Sequence, residues 1–549
     1  MGGWNAFEVD KPFVVENFKR GFFDYLEIAS HVAETHFFRW FIGKGHLRRL
    51  AESYPTPRKK EEVPLWVYIC SALTLKLHGS PGFSSLPYIL HCGGLKDALG
   101  PDHVTTVEDQ ESKAYRLKCK GYNKKNLYSR RTPCDQDFVR KLARSTPPEA
   151  LEGWFGQALP KLYRSMRAFD TEGIFLVDGS YLFVPDNDKY ENSAILRFDK
   201  HNHPVSKKEY EALSPAEKRD TRLRRCYRTV TILHTNRDKG YHLYCGIRVF
   251  NGAESENPKM RPLVEDLVKS VGKRHVKWLV FDRGFIDGET TAYLKKKHAI
   301  DSVFPLKSNM VAYEDAKGLA KTVDPVVWRP PEKTEPSLEG KPKTIQKREK
   351  KRRETLKRKK EKEPEVQTKP VVKEVRLRLI PQTTTWENCD VPIQVVLLEE
   401  DLTDGSHFEW ALATTAEITD PLELWKLYGI RPAIEERHRQ LKCFWDLTSF
   451  RSTSFALVVN QVAFVLLAYS LMQAFLLKIQ KEELTKATRK RLLQQLLPMG
   501  RKVFLYYKNR VATLSGLEHQ EMLLTLSEGA RRRILGKTRR LRKVELDDS

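Results

Sequence analysis

Two aspartates each close an apolar run, Phe175-Leu-Val-Asp178 and Leu279-Val-Phe-Asp282. Far downstream, Tyr428, Arg431, Glu435 and Lys442 follow one another with the spacing Y-x2-R-x3-E-x6-K. Carboxylates carried on rigid elements supply the hard oxygen ligands of divalent-metal phosphoryl chemistry. In that chemistry paired cations activate a water or a 3′-hydroxyl and stabilise the leaving oxygen. Arginine and lysine beside such a centre suit phosphate binding. Each residue also has an ordinary local reading. Either aspartate alone fits a turn or cap, and the downstream segment fits a solvated amphipathic helix with pairs such as Glu435–Arg439.

The elements that must position these groups are legible to different degrees. Pro432 suits the first turn of a helix. Glu435 and Lys442 are seven residues apart, so they return to within about 20° of one another on a helix and share a face. Glu436 is turned about 100° away. Tyr428 and Arg431 precede the proline, and Gly429 is a candidate break, so the face argument stops at Pro432. Both aspartates read as ends of short buried strands, where loops open into a crevice. They are about 100 residues apart, so only the fold can join them.

Composition narrows the class. With 549 residues the chain is long for one domain, 40% hydrophobic content is enough for real cores, and the net charge of +25 favours a polyanionic partner. The plain alternative is a soluble protein with basic tails. The eight cysteines include no C-x-x-C pair, which excludes zinc-ribbon and finger spacing and points to a reduced, intracellular chain with unpaired thiols. Early acidic residues (Glu8, Asp10, Glu16) do not fit a secretory signal. Residues 455–477 are uncharged and long enough to span a bilayer. Asn460, Gln461, Ser470 and Gln473 interrupt them, and a buried core helix is the expected reading.

Residues 1–165 read as largely helical, with helices over Val14–Thr35, Pro64–His78, Asp135–Arg144 and Pro147–Met166. Cations interleaved with aromatics at Lys113–Lys118 and Tyr122–Arg131 suggest a DNA-contacting face, and a solvated helical cap fits equally. Residues 166–309 change to strands and helices. Runs at Ile174–Val177 and Tyr181–Val184 flank Asp178-Gly-Ser180, and a polar excursion to Arg225 follows. Strands at Tyr227–His234 and Tyr241–Phe250, a helix at Pro258–Val271 and a strand at Val276–Phe281 come next. Residues 310–405 break that rhythm with β character, at Val371–Ile380 and Val391–Leu398, around a low-complexity Lys/Arg/Glu run at 341–363. The α/β pattern resumes over 406–480. Residues 481–549 read as helical and end in a basic stretch, Ala530–Lys543. The expected class is α/β: a mixed-sheet core interrupted by a β-rich insertion, with helical N-terminal and C-terminal regions.

These residues together resemble the DDE transposases of bacterial insertion sequences, in particular the IS-four-like group that carries the Y-R-E-K signature. Tyr428, Arg431, Glu435 and Lys442 match its four positions. Leu176-Val-Asp178-Gly-Ser resembles the first catalytic strand, and Val280-Phe-Asp282-Arg-Gly-Phe the second block. Asn251-Gly-Ala-Glu and Pro262-Leu-Val-Glu follow the family's path between the aspartates. The resemblance covers about residues 170–475. It implies an RNase H-like core in which Asp178, Asp282 and Glu435 are catalytic and bind Mg²⁺, with Mn²⁺ as a substitute. It further implies that Arg431 and Lys442 hold DNA phosphates and that Tyr428 helps to position them. In characterised relatives a tryptophan of the insertion stacks on a flipped base, and by location Trp328 and Trp386 are the candidates; for each, ordinary packing is the alternative. The long excursion after Asp178 departs from the family pattern, and Pro432 stands where relatives usually carry tryptophan.

The function so implied is cutting at the ends of a mobile element and joining of the 3′-hydroxyl ends to target DNA. Its partners are double-stranded DNA (terminal inverted repeats and target) and a second copy of the chain on paired ends, with no membrane. The place of action is the cytoplasm, nucleoid-associated, in a prokaryotic host. The alternatives are an RNase H-like nuclease without strand transfer and a catalytically inactive DNA-binding derivative.

Overall fold

The computed structural model describes residues 7–547 except 9, 30–31, 60–63, 80–81, 87–93, 100–103, 106–135, 238–239, 331–371, 486–501 and 509. The basic-aromatic segments at 113–118 and 122–131 and the charged run at 341–363 lie outside the described residues. The chain divides into two compact units. One comprises Met1–Phe285, His298–Ile300 and Arg431–Ser549, the other Ile286–Lys297 and Asp301–Ile430.

The first unit is built around a mixed sheet. Its central strand, β1 (Ile174–Val184), is flanked by β3 (Arg222–Thr235), antiparallel along its whole length, and by β5 (Trp278–Phe281), parallel to it. β3 also pairs with β2 (Ala194–Phe198) and β4 (His242–Asn251), both antiparallel. The β3–β4 turn is closed by Asn236, whose Oδ1 accepts from the Gly240 N–H at 3.1 Å; Gly240 has φ +65°, a conformation that favours glycine. A parallel strand needs a crossover, supplied here by α2 (Asn257–Val271) between β4 and β5. α2 packs with α1 (Pro148–Ser165), and both lie against β4. One correction concerns β1. The runs on either side of Asp178-Gly-Ser180 are a single strand of 11 residues, so Asp178 lies within a strand and not at its end. Pairing with β3 continues through Gly179 and Ser180 and satisfies the backbone there.

The apolar stretch expected as a core helix is α5 (Phe455–Lys478), buried from Leu457 to Leu476. It is long and apolar enough to cross a membrane, yet 89% of its most apolar stretch is buried inside the fold. Its polar interruptions all have work to do. Asn460 Nδ2 donates to Tyr68 Oη at 2.8 Å, and Gln461 Nε2 to the Asp446 carbonyl at 2.8 Å. Gln473 Nε2 donates to the Thr485 carbonyl at 2.8 Å, and Ser470 Oγ accepts from the Tyr244 N–H at 3.1 Å. Such pairing is how buried polar groups avoid their desolvation cost.

The terminal regions are helical as expected, except for strands that the helical reading missed. The helical reading of Val14–Thr35 covers a helix at Lys11–Lys19, a strand at Tyr25–Ala29 and a helix beginning at Val32. In the C-terminal region, read as helical, Lys502–Tyr507 and Arg510–Ser515 form a hairpin; helices follow at Gly516–Thr525 and Glu528–Asp547. Tyr25–Ala29 adds to that hairpin as the third strand. The sheet buries Leu26, Val503, Leu505, Ala512 and Leu514 against Val14, Phe18, Met522 and Ile534. A partner more than 400 residues away in sequence leaves no local signal, which is why helical periodicity misread both segments. By contrast, the expected helices at Pro64–His78, Asp135–Arg144 and Pro147–Met166 occur as Leu65–His78, Gln136–Ser145 and α1.

The second unit is rich in β structure. It holds β6 (Asp301–Pro305), β7 (Val326–Trp328), β8 (Val372–Thr383), β9 (Ile393–Leu402) and β10 (His407–Thr414). They pair antiparallel in the order β7-β8-β9-β10-β6. α3 (Pro421–Tyr428) completes it, capped by Asp420, whose Oδ1 accepts from the Leu422 N–H at 2.8 Å.

Candidate active site

β1 and β5 run side by side in parallel, with Val177 opposite Phe281. The residue that follows each of these is an aspartate, so the pairing brings Asp178 and Asp282 together. β5 stops at Phe281 and the chain turns away, the Arg283 N–H donating to Asp282 Oδ1 at 2.7 Å. Asp178, inside β1, is buried, whereas the Asp282 side chain is 43% exposed.

The third carboxylate arrives on α4 (Pro432–Phe444). Pro432 is its first residue, and Arg431 at the N-cap already has helical dihedrals (φ −51°, ψ −41°). The helical phase therefore reaches one residue further back than the sequence argument allowed. Arg431, Glu435, His438 and Lys442 share a face. Ile434 and Leu441 anchor the helix in the core. Glu436 points elsewhere, as its 100° offset requires, and takes both Arg439 Nε and Nη2 at 2.7 Å. Arg439 thus pairs with Glu436 and not with Glu435.

Arg431 joins the three carboxylates. Its Nη2 lies 3.1 Å from Asp282 Oδ2 and 3.5 Å from Asp178 Oδ1, and its Nη1 2.8 Å from Glu435 Oε1. His438 holds the other oxygen of Asp178, with Nδ1 3.5 Å from Oδ2, and its Nε2 is 2.9 Å from Thr231 Oγ1 on β3. Lys442 Nζ donates to Ser180 Oγ at 2.7 Å, two residues along β1 from Asp178. Burial pulls the Lys442 ammonium pKa down, opposed by the attraction of Asp178.

Among the described residues no group of three or more His, Cys, Asp or Glu side chains is gathered closely enough to hold a metal ion. The donor chemistry nevertheless fits a hard divalent cation, since Asp178, Asp282 and Glu435 all offer carboxylate oxygens. One guanidinium nitrogen within reach of both aspartates marks the point where positive charge is stabilised. In this arrangement Arg431 supplies that charge.

Sequence reasoning missed two further groups. His438 is one, buried behind Asp178. The other is Glu256, the N-cap residue of α2, whose Oε1 is 2.5 Å from Arg228 Nη2. Burial pushes the Glu256 carboxyl pKa up, Arg228 pulls it down, and Asp178 and Asp282 push it up again, which marks all three carboxylates as neighbours. The available signal was the pair of glycines that follow the aspartates, Gly179 and Gly284.

The remaining sequence candidates belong to the second unit. Tyr428 ends α3, its ring 5.8 Å from that of Trp410. Trp328 lies 4.8 Å from Trp425, ring to ring, and Trp386 lies 5.2 Å from Phe304 beside Cys389 and Val391. Both tryptophans therefore have packing partners.

The mixed sheet and its crossover helix define a mixed α/β core that carries both aspartates. The transposase DDE domain family matches residues 172–471, and the chain belongs to that family. Members of this family generally use divalent metals, and their activity is that of polynucleotidyl transferases and endonucleases. Among solved structures, the chain is similar to piggyBac transposase in a synaptic complex with hairpin DNA. The identity is 9% and the TM-score 0.35, over 86% of this chain and 82% of that one. No curated protein matches the sequence.

Proposed function

We propose that the protein is a cut-and-paste DNA transposase of the insertion-sequence group with the Y-R-E-K signature. It would cut at the ends of its element and join the 3′-hydroxyl ends to target DNA. The observation that carries this reading is the pairing of Val177 with Phe281, each followed by an aspartate, with Glu435 tied to both aspartates through Arg431. Asp178, Asp282 and Glu435 would hold the divalent cations, Mg²⁺ or, as a substitute, Mn²⁺. When bound, the cations supply activation of the attacking oxygen and stabilisation of the leaving one. Arg431, once it leaves the carboxylates, and Lys442 would donate to the DNA phosphates near the cut. Tyr428 would help to position the strand, and Trp328 or Trp386 would stack on a displaced base. Two ends have to be handled together, so the working form would be a homodimer on terminal inverted repeats. It would act in the cytoplasm of a prokaryote, associated with the nucleoid, and outside membranes.

The deciding experiment is Glu435→Gln with a DNA substrate bearing the element's ends. Loss of strand cleavage with DNA binding retained is expected; unchanged cleavage and unchanged metal dependence would sink the assignment. Strand-transfer products from the unaltered protein separate this reading from a nuclease that cuts without joining. Lys442→Ala is expected to weaken engagement of the cleaved end.

A further inference from the structure

An acidic residue at a helix N-cap ordinarily folds back to accept from the first free N–H groups of its own helix. Glu256 does not: its side chain makes no capping hydrogen bond with α2. It extends into the sheet, 12% exposed, and fits against the backbone beside both aspartates. A Cβ at Gly284, two residues after Asp282, would lie 2.5 Å from Glu256 Oε1. A Cβ at Gly179, the residue after Asp178, would overlap Glu256 Oε2. The two glycines therefore make room for one carboxylate between the two catalytic strands.

Placing that carboxylate there is electrostatically expensive. Asp178, Asp282, Glu435 and Glu256 face two guanidinium groups, Arg228 on Glu256 and Arg431 on the other three, and the Lys442 ammonium near Asp178. A buried Arg–Glu pair kept only to brace α2 against β3 would be replaceable by apolar packing at little cost. Setting it against two more carboxylates makes sense where a further positive charge is to be held.

We propose that Glu256 is a fourth acidic residue of the catalytic centre, which binds divalent cation together with Asp178 and Asp282. The inference rests on the metal-dependent reading given above. Once Arg431 leaves the aspartates, displaced by the ion or drawn to a DNA phosphate, Asp178 and Asp282 need another cation while Glu256 keeps Arg228. Asp178, Asp282 and Glu256 would then hold the divalent ion through their carboxylate oxygens.

The test is direct binding of Mn²⁺ to the full chain, by calorimetry and by the rise in melting temperature that Mn²⁺ causes. Unaltered protein is compared with Glu256→Gln, Glu256→Ala and Asp178→Asn. Gln keeps the volume and an oxygen for Arg228; Ala empties the gap, so one variant is available if the other misfolds. Both Glu256 variants are expected to weaken Mn²⁺ binding by about 10–100-fold and to lose most of the Mn²⁺-induced rise. If Asp178→Asn loses Mn²⁺ while the Glu256 variants bind it as tightly as the unaltered protein, the proposal is overturned and the metal-centre reading stands. If Asp178→Asn also binds Mn²⁺ normally, the metal-centre reading fails and the proposal with it.

Discussion

Arg431 Nη2 sits 3.1 Å from Asp282 Oδ2, and the same nitrogen reaches Asp178 at 3.5 Å. One arginine side chain, itself only 12% exposed, thus offsets the repulsion between two aspartates brought together by strand register. It also makes an i,i+4 pair with Glu435, so α4 is tied to the sheet through its first turn.

Removing that cation leaves like charges opposed. Arg431→Met is expected to lower stability without divalent metal by about 1–3 kcal/mol, below the cost of breaking a fully buried pair because Asp282 and Glu435 are half open. Saturating Mn²⁺ should recover most of the loss. Urea melts of both proteins with and without Mn²⁺ check this; equal stability in metal-free buffer would show that the bridge has no energetic weight.

His438 fixes Asp178 from behind through Thr231. Substituting an outer partner of this kind typically costs 10–100-fold in metal affinity or activity. His438→Ala is therefore expected to raise the Mn²⁺ concentration needed for half-maximal cleavage by about that factor, with His438→Gln intermediate. An unchanged metal requirement in both variants would make His438 a packing residue only.

The tight approach of Glu256 to Gly284 gives a coupling that can be measured. Gly284→Ala should destabilise the chain by about 1–3 kcal/mol through overpacking. In a Glu256→Ala background the cost should fall by about 1 kcal/mol or more, because the clashing carboxylate is gone. Additive effects in the four-protein cycle would refute the contact.

Glu152 on α1 predicts a pH effect away from the centre. It is buried, its Oε1 accepts from the Val249 N–H at 2.6 Å, and burial pushes its pKa up to about 7 from 4.5. The unfolded chain therefore releases the proton first as pH rises. Stability falls from about pH 4.5 to about pH 7 and then levels off, by an amount on the order of 3 kcal/mol. Glu152→Gln removes the penalty while leaving an acceptor for Val249. Its stability relative to the unaltered chain should be near parity at pH 4.5 and higher at pH 8. A pH-independent difference would refute the assignment.

Much of the centre could be read from residue order, because short-range geometry governs it. Seven residues of helix put Glu435 and Lys442 on one face, Glu436 was turned away as its offset demands, and four spaced polar groups kept a long apolar helix in the core. Arg431 was harder. A proline ordinarily signals a boundary, and only the dihedrals show that the residue before it is already helical.

The sequence by itself determined which residue types were available and which local elements carry them: apolar runs ending in Asp178 and Asp282, a proline-led helix with Glu435, and strands between Asp282 and that helix. Only the tertiary structure decided the register of β1 against β5, the turning of Glu256 away from its own helix, and the pairing of Tyr25–Ala29 with Lys502–Tyr507. Each of these depends on contacts between segments distant in sequence. Local propensity is blind to such contacts, and they form only when burial in a shared core repays the entropy of closing the long loops between them.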